Sequence, residues 1–133
     1  METNPKRLKV LLVEDNSDLC HIFQEYLRIL EIGEVVAASN GMEAMEKYDK
    51  HAGNFDVVMS DLKMPKMDGM ELLRGLADRH FQGGLILMTG EGRQQQNDFW
   101  NLAVFCGLKV LASLEKPFHG EALADAFSRY KGK

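Results

Sequence analysis

Short apolar runs alternate with helical stripes along this chain, and no other feature of the sequence constrains the fold as strongly. Five runs are continuously apolar, as the strands of a parallel sheet are when helices cover both of its faces. The predicted strands are 10–13, 35–38, 57–59, 85–88 and 110–114. Their length and spacing favour a sheet whose strands are separated by helices.

Helical periodicity fills the segments between these runs. The clearest stripe places apolar residues at i, i+3, i+4, i+7, i+8 and i+11, namely Leu19, Ile22, Phe23, Tyr26, Leu27 and Leu30. Shorter stripes are Leu72, Leu73, Leu76 and Ala77, then Leu123, Ala126, Phe127 and Tyr130, and a weaker one of Met42, Met45 and Tyr48. The fourth helix is predicted over about 94–105.

Three aromatic residues of that fourth helix, Phe99, Trp100 and Phe105, cannot all share one buried stripe. We expect them to pack in the core. The alternative is that one of them is an exposed anchor for a partner.

Five β-α units with short connections predict right-handed crossovers and a doubly wound α/β sheet. In such a sheet a site forms beyond the carboxyl ends of the strands. The 133 residues fit one domain, so we expect 1–133 to form a single unit with a polar N-terminal tail over 1–8.

Composition and charge exclude several classes of protein. A net charge of −4 argues against non-specific binding of nucleic acid, which needs a basic face. No apolar run is long enough for a membrane span, and the first residues lack the apolar core of a signal peptide. Cys20 and Cys106 lie in helical patterns without metal-ligand spacing, so we expect reduced thiols and a cytoplasmic location.

Polar residues follow four of the predicted strands. Glu14 and Asp15 follow the first strand, Asp61 the third, Thr89 the fourth and Lys116 the fifth. Each one alone also fits a purely structural role, such as the capping of a helix. Because the fold brings these segments to one edge, we expect three carboxylates, a hydroxyl and an ammonium to form a site there.

Three neighbouring carboxylates predict a bound cation. Each pair repels by about 4 kcal/mol at about 4 Å for an effective dielectric constant near 20. A divalent ion relieves that repulsion, and all-oxygen ligation suits Mg²⁺ or Mn²⁺. Asp61 is then placed to act as a nucleophile toward a phosphoryl group, with Lys116 and Thr89 contacting the phosphoryl oxygens.

The chain resembles the two-component response-regulator receiver domain. The motifs that carry the resemblance are Glu14-Asp15-Asn16, Ser60-Asp61-Leu62-Lys63-Met64-Pro65, Met67-Asp68-Gly69, Met88-Thr89-Gly90 and Glu115-Lys116-Pro117-Phe118. They occur in order over essentially the whole chain, each at a predicted strand end or in a turn. The resemblance implies a flavodoxin-like sheet of order 2-1-3-4-5 with five flanking helices.

The resemblance also implies roles for single residues. Asp61 is the phosphoacceptor, and Thr89 and Lys116 bind the phosphoryl group. Glu14, Asp15 and Asp61 hold Mg²⁺, with Mn²⁺ as an alternative ion, and the backbone carbonyl of Lys63 adds a ligand. A cis peptide bond precedes Pro117.

As partners, the family implies a histidine kinase or a histidine phosphotransfer protein as donor, and a downstream protein or a fused output domain as target. The domain is not an enzyme, although slow self-catalysed loss of the phosphoryl group is expected. We expect a monomer before phosphorylation and leave dimerisation after it open.

Two positions depart from the family pattern. Ser113 stands where many receivers have an aromatic residue that follows the threonine inward, and Gly90 stands where alanine is common. These departures keep open a pseudo-receiver that binds partners constitutively. A flavodoxin-like nucleotide binder is disfavoured because Glu14 and Asp15 stand where a phosphate-binding loop would follow the first strand. A hydrolase that uses Asp61 is disfavoured because the position two residues later is Lys63 and not a second aspartate.

Overall fold

The computed structural model describes residues 4–62, 69–90 and 93–132, and within the last range it describes side chains from residue 97 onward. The strands are β1 Lys9–Val13, β2 Glu34–Ala38, β3 Val57–Asp61, β4 Gly84–Thr89 and β5 Lys109–Glu115. The helices are α1 Ser17–Ile29, α2 Gly41–Lys50, α3 Gly69–Asp78, α4 Arg93–Phe105 and α5 Gly120–Ser128. Every predicted strand is therefore present. Within the described part of the chain, no helix is long and apolar enough to cross a membrane.

The strands are parallel in the order β2-β1-β3-β4-β5, which confirms the predicted doubly wound sheet. Their ends are level, since Val13 pairs with both Ala38 and Ser60, and Asp61 pairs with Met88. The carboxyl ends of the strands consequently meet along one side of the sheet. We call this side the carboxyl edge; it carries Glu14, Asp15, Asp61, Thr89 and Lys116.

Helices cover both faces of the sheet. Val10 and Leu12 belong to the apolar core beneath α1 and α5, whereas Leu11 and Val13 belong to the core beneath α2, α3 and α4. All four side chains have no exposed surface, and full burial of such a side chain stabilises a fold by about 1.5–3 kcal/mol. Continuous apolar runs are therefore what this sheet requires.

Helix α1 buries a narrower stripe than the sequence predicted. Phe23 and Leu27 are buried, but Ile22 is 45% exposed. Successive helical residues are about 100° apart, so a stripe centred on Phe23 and Leu27 leaves Ile22 at its solvent side. In α2, Met42 is exposed for the same reason, while Met45 and Tyr48 are buried.

Helix α4 begins one residue before its predicted start and separates its aromatic residues. Phe99 is buried, as expected, whereas Trp100 is 36% exposed and Phe105 is 88% exposed. The expectation that all three pack in the core was wrong for Trp100 and Phe105. Phe99 and Ala103 lie one turn apart on the face that meets the sheet, which turns the other two residues outward.

The N-terminal segment is partly folded within the stretch that we expected to be a tail. Residues Pro5–Arg7 form a turn of 3-10 helix capped by Asn4, and Leu8 is buried. The backbone N–H of Gly33 donates to the Pro5 carbonyl over 3.1 Å, which fixes this turn against the loop before β2.

Candidate functional site

The helix that follows β1 is capped by neither of the two predicted carboxylates. Asn16 is the N-cap of α1, and its side chain accepts a hydrogen bond from the Leu19 N–H over 3.0 Å. Such a cap stabilises a helix by about 1 kcal/mol. Because Asn16 fills this role, the carboxylates of Glu14 and Asp15 remain available at the edge.

The three predicted carboxylates lie together. Among the described residues, Glu14, Asp15 and Asp61 each contribute one carboxylate oxygen to a group in which these three atoms lie within 4.8 Å of one another. Glu14 and Asp61 are 2% and 3% exposed, while Asp15 is exposed to solvent. The cluster is therefore accessible to solvent at Asp15 and buried at Glu14 and Asp61.

Lys116 joins two of these carboxylates. Its Nζ lies 3.1 Å from Glu14 Oε1 and 2.9 Å from Asp61 Oδ2. Its backbone N–H donates to the Thr89 carbonyl over 2.7 Å, which ties the end of β5 to the end of β4. The Lys116–Pro117 peptide bond is cis, as the resemblance predicted.

Burial raises the pKa of Glu14 to about 7, and the charge of Asp61 acts in the same direction. The N–H of Asn16, which donates to Glu14 over 3.2 Å, and the Lys116 ammonium oppose that rise. Burial lowers the pKa of Lys116, but hydrogen bonds and the charges of Asp61 and Glu14 outweigh it and raise the pKa overall. Lys116 therefore stays charged, and Glu14 gives up its proton only near neutral pH.

The donor set fits a hard divalent cation. Three carboxylates and one ammonium carry a formal charge of −3 + 1 = −2 when all are ionised. Oxygen ligands of this kind are those that Mg²⁺ and Mn²⁺ prefer. The pKa of Glu14 points the same way, because a carboxylate that is costly to ionise alone is stabilised by a nearby cation.

Thr89 and Lys63 complete the set of predicted site residues. Thr89 ends β4 and is 2% exposed, and its strand partner is Glu115. The backbone carbonyl of Lys63 lies outside the described residues, so its role as a ligand stays a prediction. The described chain reaches Leu62, whose N–H donates to the Met88 carbonyl over 3.1 Å.

Comparison with known proteins identifies the family. A family model for the response regulator receiver domain matches residues 10–128. The chain belongs to the response regulator receiver family. A solved receiver domain protein from Clostridium thermocellum superposes with a TM-score of 0.77 at 30% identity, covering 90% of each chain.

Two curated relatives extend the comparison. The transcriptional regulatory protein FlgR of Helicobacter pylori is 30% identical over 125 residues, which cover 93% of this chain and 30% of FlgR. The chemotaxis protein CheY-3 of Vibrio cholerae is 34% identical over 93 residues, which cover 68% of this chain and 70% of CheY-3. The receiver thus spans less than a third of FlgR but most of CheY-3.

Two small residues, Gly90 and Ser113, lie near Thr89. Ser113 lies on β5 and pairs with Leu87, two positions before Thr89 on β4, and its hydroxyl is buried with no hydrogen-bond partner among the described residues. Among the described residues, a Cβ added to Gly90 would meet no atom within 4 Å. The space around Thr89 is therefore less filled than an aromatic residue at 113 and an alanine at 90 would leave it.

Sequence reasoning did not distinguish Glu14 from Asp15, although the structure buries the first and exposes the second. Lys116 reaches Glu14 from 102 residues away. No local pattern in the sequence contains so distant a contact. The two acids are adjacent after the same strand, so their positions alone do not show which of them is buried. The only usable signal was the lysine after the fifth apolar run.

Proposed function

We propose that this receiver is a phosphorylation-dependent signalling switch in which Asp61 accepts a phosphoryl group. The donor is a phosphohistidine, carried by a histidine kinase or a histidine phosphotransfer protein. The observation that carries the proposal is the contact of one ammonium, Lys116, with both Glu14 and Asp61 inside a cluster of three carboxylates. The Lys116 ammonium would therefore lie close to the oxygens of a phosphoryl group on Asp61.

In the transfer, an Asp61 carboxylate oxygen bonds to phosphorus while the phosphorus–nitrogen bond of the donor breaks. The electron pair of that bond returns to the imidazole nitrogen. Lys116 neutralises charge on the phosphoryl oxygens, and the Thr89 hydroxyl donates a hydrogen bond to one of them. A water that later attacks phosphorus would release phosphate and regenerate Asp61, so no external substrate is turned over.

We assign the metal ligands to Glu14, Asp15 and Asp61, together with the backbone carbonyl of Lys63. When bound, Mg²⁺ or Mn²⁺ supplies positive charge that offsets the meeting of a carboxylate with a phosphoryl group. The protein contributes preorganisation, because Glu14 and Asp61 are already held by Lys116.

The proposed output is a shift between two conformations. Thr89 moves toward the phosphoryl group, and the face formed by α4, β5 and α5 repacks to change its affinity for a downstream protein or a fused output domain. Trp100 and Phe105 are exposed on α4, where such a change would reach them. We expect a monomer before phosphorylation and no direct binding of nucleic acid.

Ser113 favours a second candidate function. Its small side chain cannot follow Thr89 inward as an aromatic ring would, and its hydroxyl is already buried. A pseudo-receiver that binds its partner constitutively would fit this feature. The intact set of Asp61, Thr89 and Lys116 favours the switch over the pseudo-receiver.

Intact-mass analysis after incubation with acetyl phosphate tests the proposal. We expect the wild type to gain one phosphoryl group in the presence of Mg²⁺ and none in the presence of a chelator. The Asp61→Asn variant should gain none under either condition. Asp125→Asn, which alters an exposed carboxylate on α5 away from the carboxyl edge, is the matched control and should behave as the wild type.

A folded wild-type sample that gains no phosphoryl group from acetyl phosphate or from a phosphohistidine donor would favour the pseudo-receiver. A phosphoryl group that persists in Asp61→Asn would show that Asp61 is not the acceptor.

A further inference from the structure

A groove lies between α1 and α5, which cover the face of the sheet opposite to α2, α3 and α4. Its volume is about 570 Å³, which falls within the range of ligand-binding clefts. Its lining includes Tyr26, Ile29 and Leu30 from the α1 side and Gly120, Glu121 and Ala124 from α5. None of these residues belongs to the carboxyl edge, so the groove is separate from the phosphoacceptor site.

The α1 side of the groove carries a stripe of large apolar side chains. Ile22, Tyr26 and Ile29 are four and then three residues apart, a spacing that places them on one side of a helix. Ile22 is 45% exposed and Ile29 is 67% exposed, so the described part of the chain leaves much of both uncovered. An exposed apolar stripe that continues into an apolar groove indicates a docking surface.

The α5 side of the groove is made of small residues. Gly120 and Ala124 lie one turn apart on the same side of α5. A Cβ added to Gly120 would lie 3.5 Å from Cδ1 of Tyr26, which is van der Waals contact. A side chain longer than a methyl group would therefore compete with the Tyr26 ring for space. The small residues of α5 consequently keep the groove open.

Acidic residues border the groove on both helices. On α1, Asp18 and Glu25 lie one turn before and one turn after Ile22, and both are exposed. On α5, Glu121 and Asp125 lie one turn apart and are also exposed. Arginines on the same helices pair with Glu25 and Asp125 over 2.8 Å, but Asp18 and Glu121 form no ion pair with any described residue. The border therefore carries an excess of two negative charges, which favours a basic partner over an acidic one.

We propose that this groove binds an amphipathic helix of a partner protein, whose apolar stripe is flanked by lysine or arginine. Apolar side chains at i, i+4 and i+7 of that helix would pack between Ile29 and the small residues of α5, and its basic residues would lie near Asp18 and Glu121. The stripe from Ile22 to Ile29 spans about 10 Å, which matches two turns of a helix. A second copy of this chain is a poorer occupant, because it would bring acidic borders together.

Chemical-shift mapping by NMR on the full chain tests the groove, with synthetic helical peptides as probes. The first peptide is a cross-linked helix with leucine at i, i+4 and i+7 and lysine beside this stripe. The second has glutamate in place of lysine, and the third has the composition of the first with its leucines dispersed around the helix. We expect only the first peptide to shift the amide signals of residues 26–30 and 119–124.

Two variants divide the binding into its apolar and its charged part. Ile29→Ala should weaken binding of the first peptide about fivefold to tenfold, because it removes part of an apolar contact. Glu121→Gln should weaken it about twofold to fivefold, the effect of one exposed ion pair. The matched controls are Val104→Ala on α4 and Glu46→Gln on α2, which alter an exposed apolar residue and an exposed acid elsewhere and should bind as the wild type does.

Several results would overturn the proposal. These are the absence of shifts in the two segments at millimolar peptide, equal shifts with the dispersed peptide, and a loss of binding in Val104→Ala as large as that in Ile29→Ala. A wild-type dimer in sizing experiments that Ile29→Ala dissociates would show that a second copy occupies the groove. Because the groove contains no residue of the phosphoacceptor site, phosphoryl gain from acetyl phosphate is measured on the same samples and distinguishes a failure there from a failure here.

Discussion

Two aspartates at opposite ends of β3 are satisfied in different ways. Asp61 ends the strand and shares its surroundings with two more carboxylates and Lys116. Asp56 precedes the strand, and its carboxylate accepts hydrogen bonds from the Lys9 N–H over 2.9 Å and the Tyr130 hydroxyl over 3.2 Å. We call the side of the sheet that carries Lys9, Asp56 and Tyr130 the amino edge.

The difference separates a structural carboxylate from the one that we propose as the phosphoacceptor. Uncharged donors from β1 and from the segment after α5 hold Asp56, so its charge links parts of the fold. Asp61 lies beside Glu14, whose pKa is raised by burial and, to a lesser degree, by the charge of Asp61. A site that crowds like charges is less stable without a cation, so it favours the binding of a metal ion.

The largest expected effect is on the pH dependence of stability. The pKa of Glu14 is about 7 in the folded protein, above its ordinary value of 4.5. Between these values the folded protein holds a proton that the unfolded chain has lost, so the free energy of unfolding falls as pH rises. Without metal we expect a loss on the order of 3 kcal/mol between about pH 4.5 and pH 7.

Urea denaturation with a chelator across this pH range measures that loss. Glu14→Gln should flatten the dependence, and saturating Mg²⁺ should restore stability at neutral pH. Glu25→Gln, an exposed acid on α1, is the control and should leave the slope unchanged. If Glu14→Gln left the pH dependence of the free energy of unfolding unchanged, Glu14 would not be the group responsible for it.

The next effect tests the structural role of Asp56. Asp56→Ala removes the acceptor of the Lys9 N–H and of the Tyr130 hydroxyl, so we expect a loss of roughly 2–3 kcal/mol in the free energy of unfolding. Where the variant is folded, it should still gain one phosphoryl group from acetyl phosphate. If Asp56→Ala were as stable as the wild type, Asp56 would not have the structural role given to it here. If the folded variant failed to gain a phosphoryl group, the roles of Asp56 and Asp61 would not be separate.

A smaller effect isolates one bond of the amino edge. Tyr130→Phe removes the hydroxyl that donates to Asp56 and should cost about 1 kcal/mol. Burial and the charge of Asp56 raise the pKa of Tyr130 from 10.0 to about 12. The folded protein therefore retains that proton above pH 10, and this contribution to stability declines as pH rises toward 12.

Denaturation at pH 9 and pH 11 compares the two proteins. The stability gap between the wild type and Tyr130→Phe should narrow, because at pH 11 the hydroxyl is ionised in the unfolded chain but still protonated in the folded protein. An unchanged gap would show that the hydrogen bond contributes little.

Sequence alone predicted the sheet because five short apolar runs separated by helical stripes fit few folds besides a parallel sheet covered on both faces. It also brought Glu14, Asp61 and Lys116 together, because parallel strands place their carboxyl ends on one side. Asp56 was missed, since a single aspartate before a strand is equally typical of a turn. Its partner Tyr130 is 74 residues away, a contact that no local pattern contains.

The smallest expected effect compares two helix ends on the amino-edge side. Helices α1 and α4 end with the same pair of backbone hydrogen bonds, which place Glu31 and Gly107 in the left-handed region with φ of 62° and 81°. A residue with a Cβ pays about 1–2 kcal/mol there, whereas glycine loses about 0.5–1 kcal/mol more entropy on folding. Glu31→Gly should therefore stabilise the protein by about 0.5 kcal/mol, and Gly107→Ala should destabilise it by about as much. Neither variant should change phosphorylation of Asp61, because both alter helix ends on the side of the sheet away from the carboxyl edge. The result that supports this contrast is a change of opposite sign in the free energy of unfolding, measured by urea denaturation, with an equal gain of phosphoryl groups.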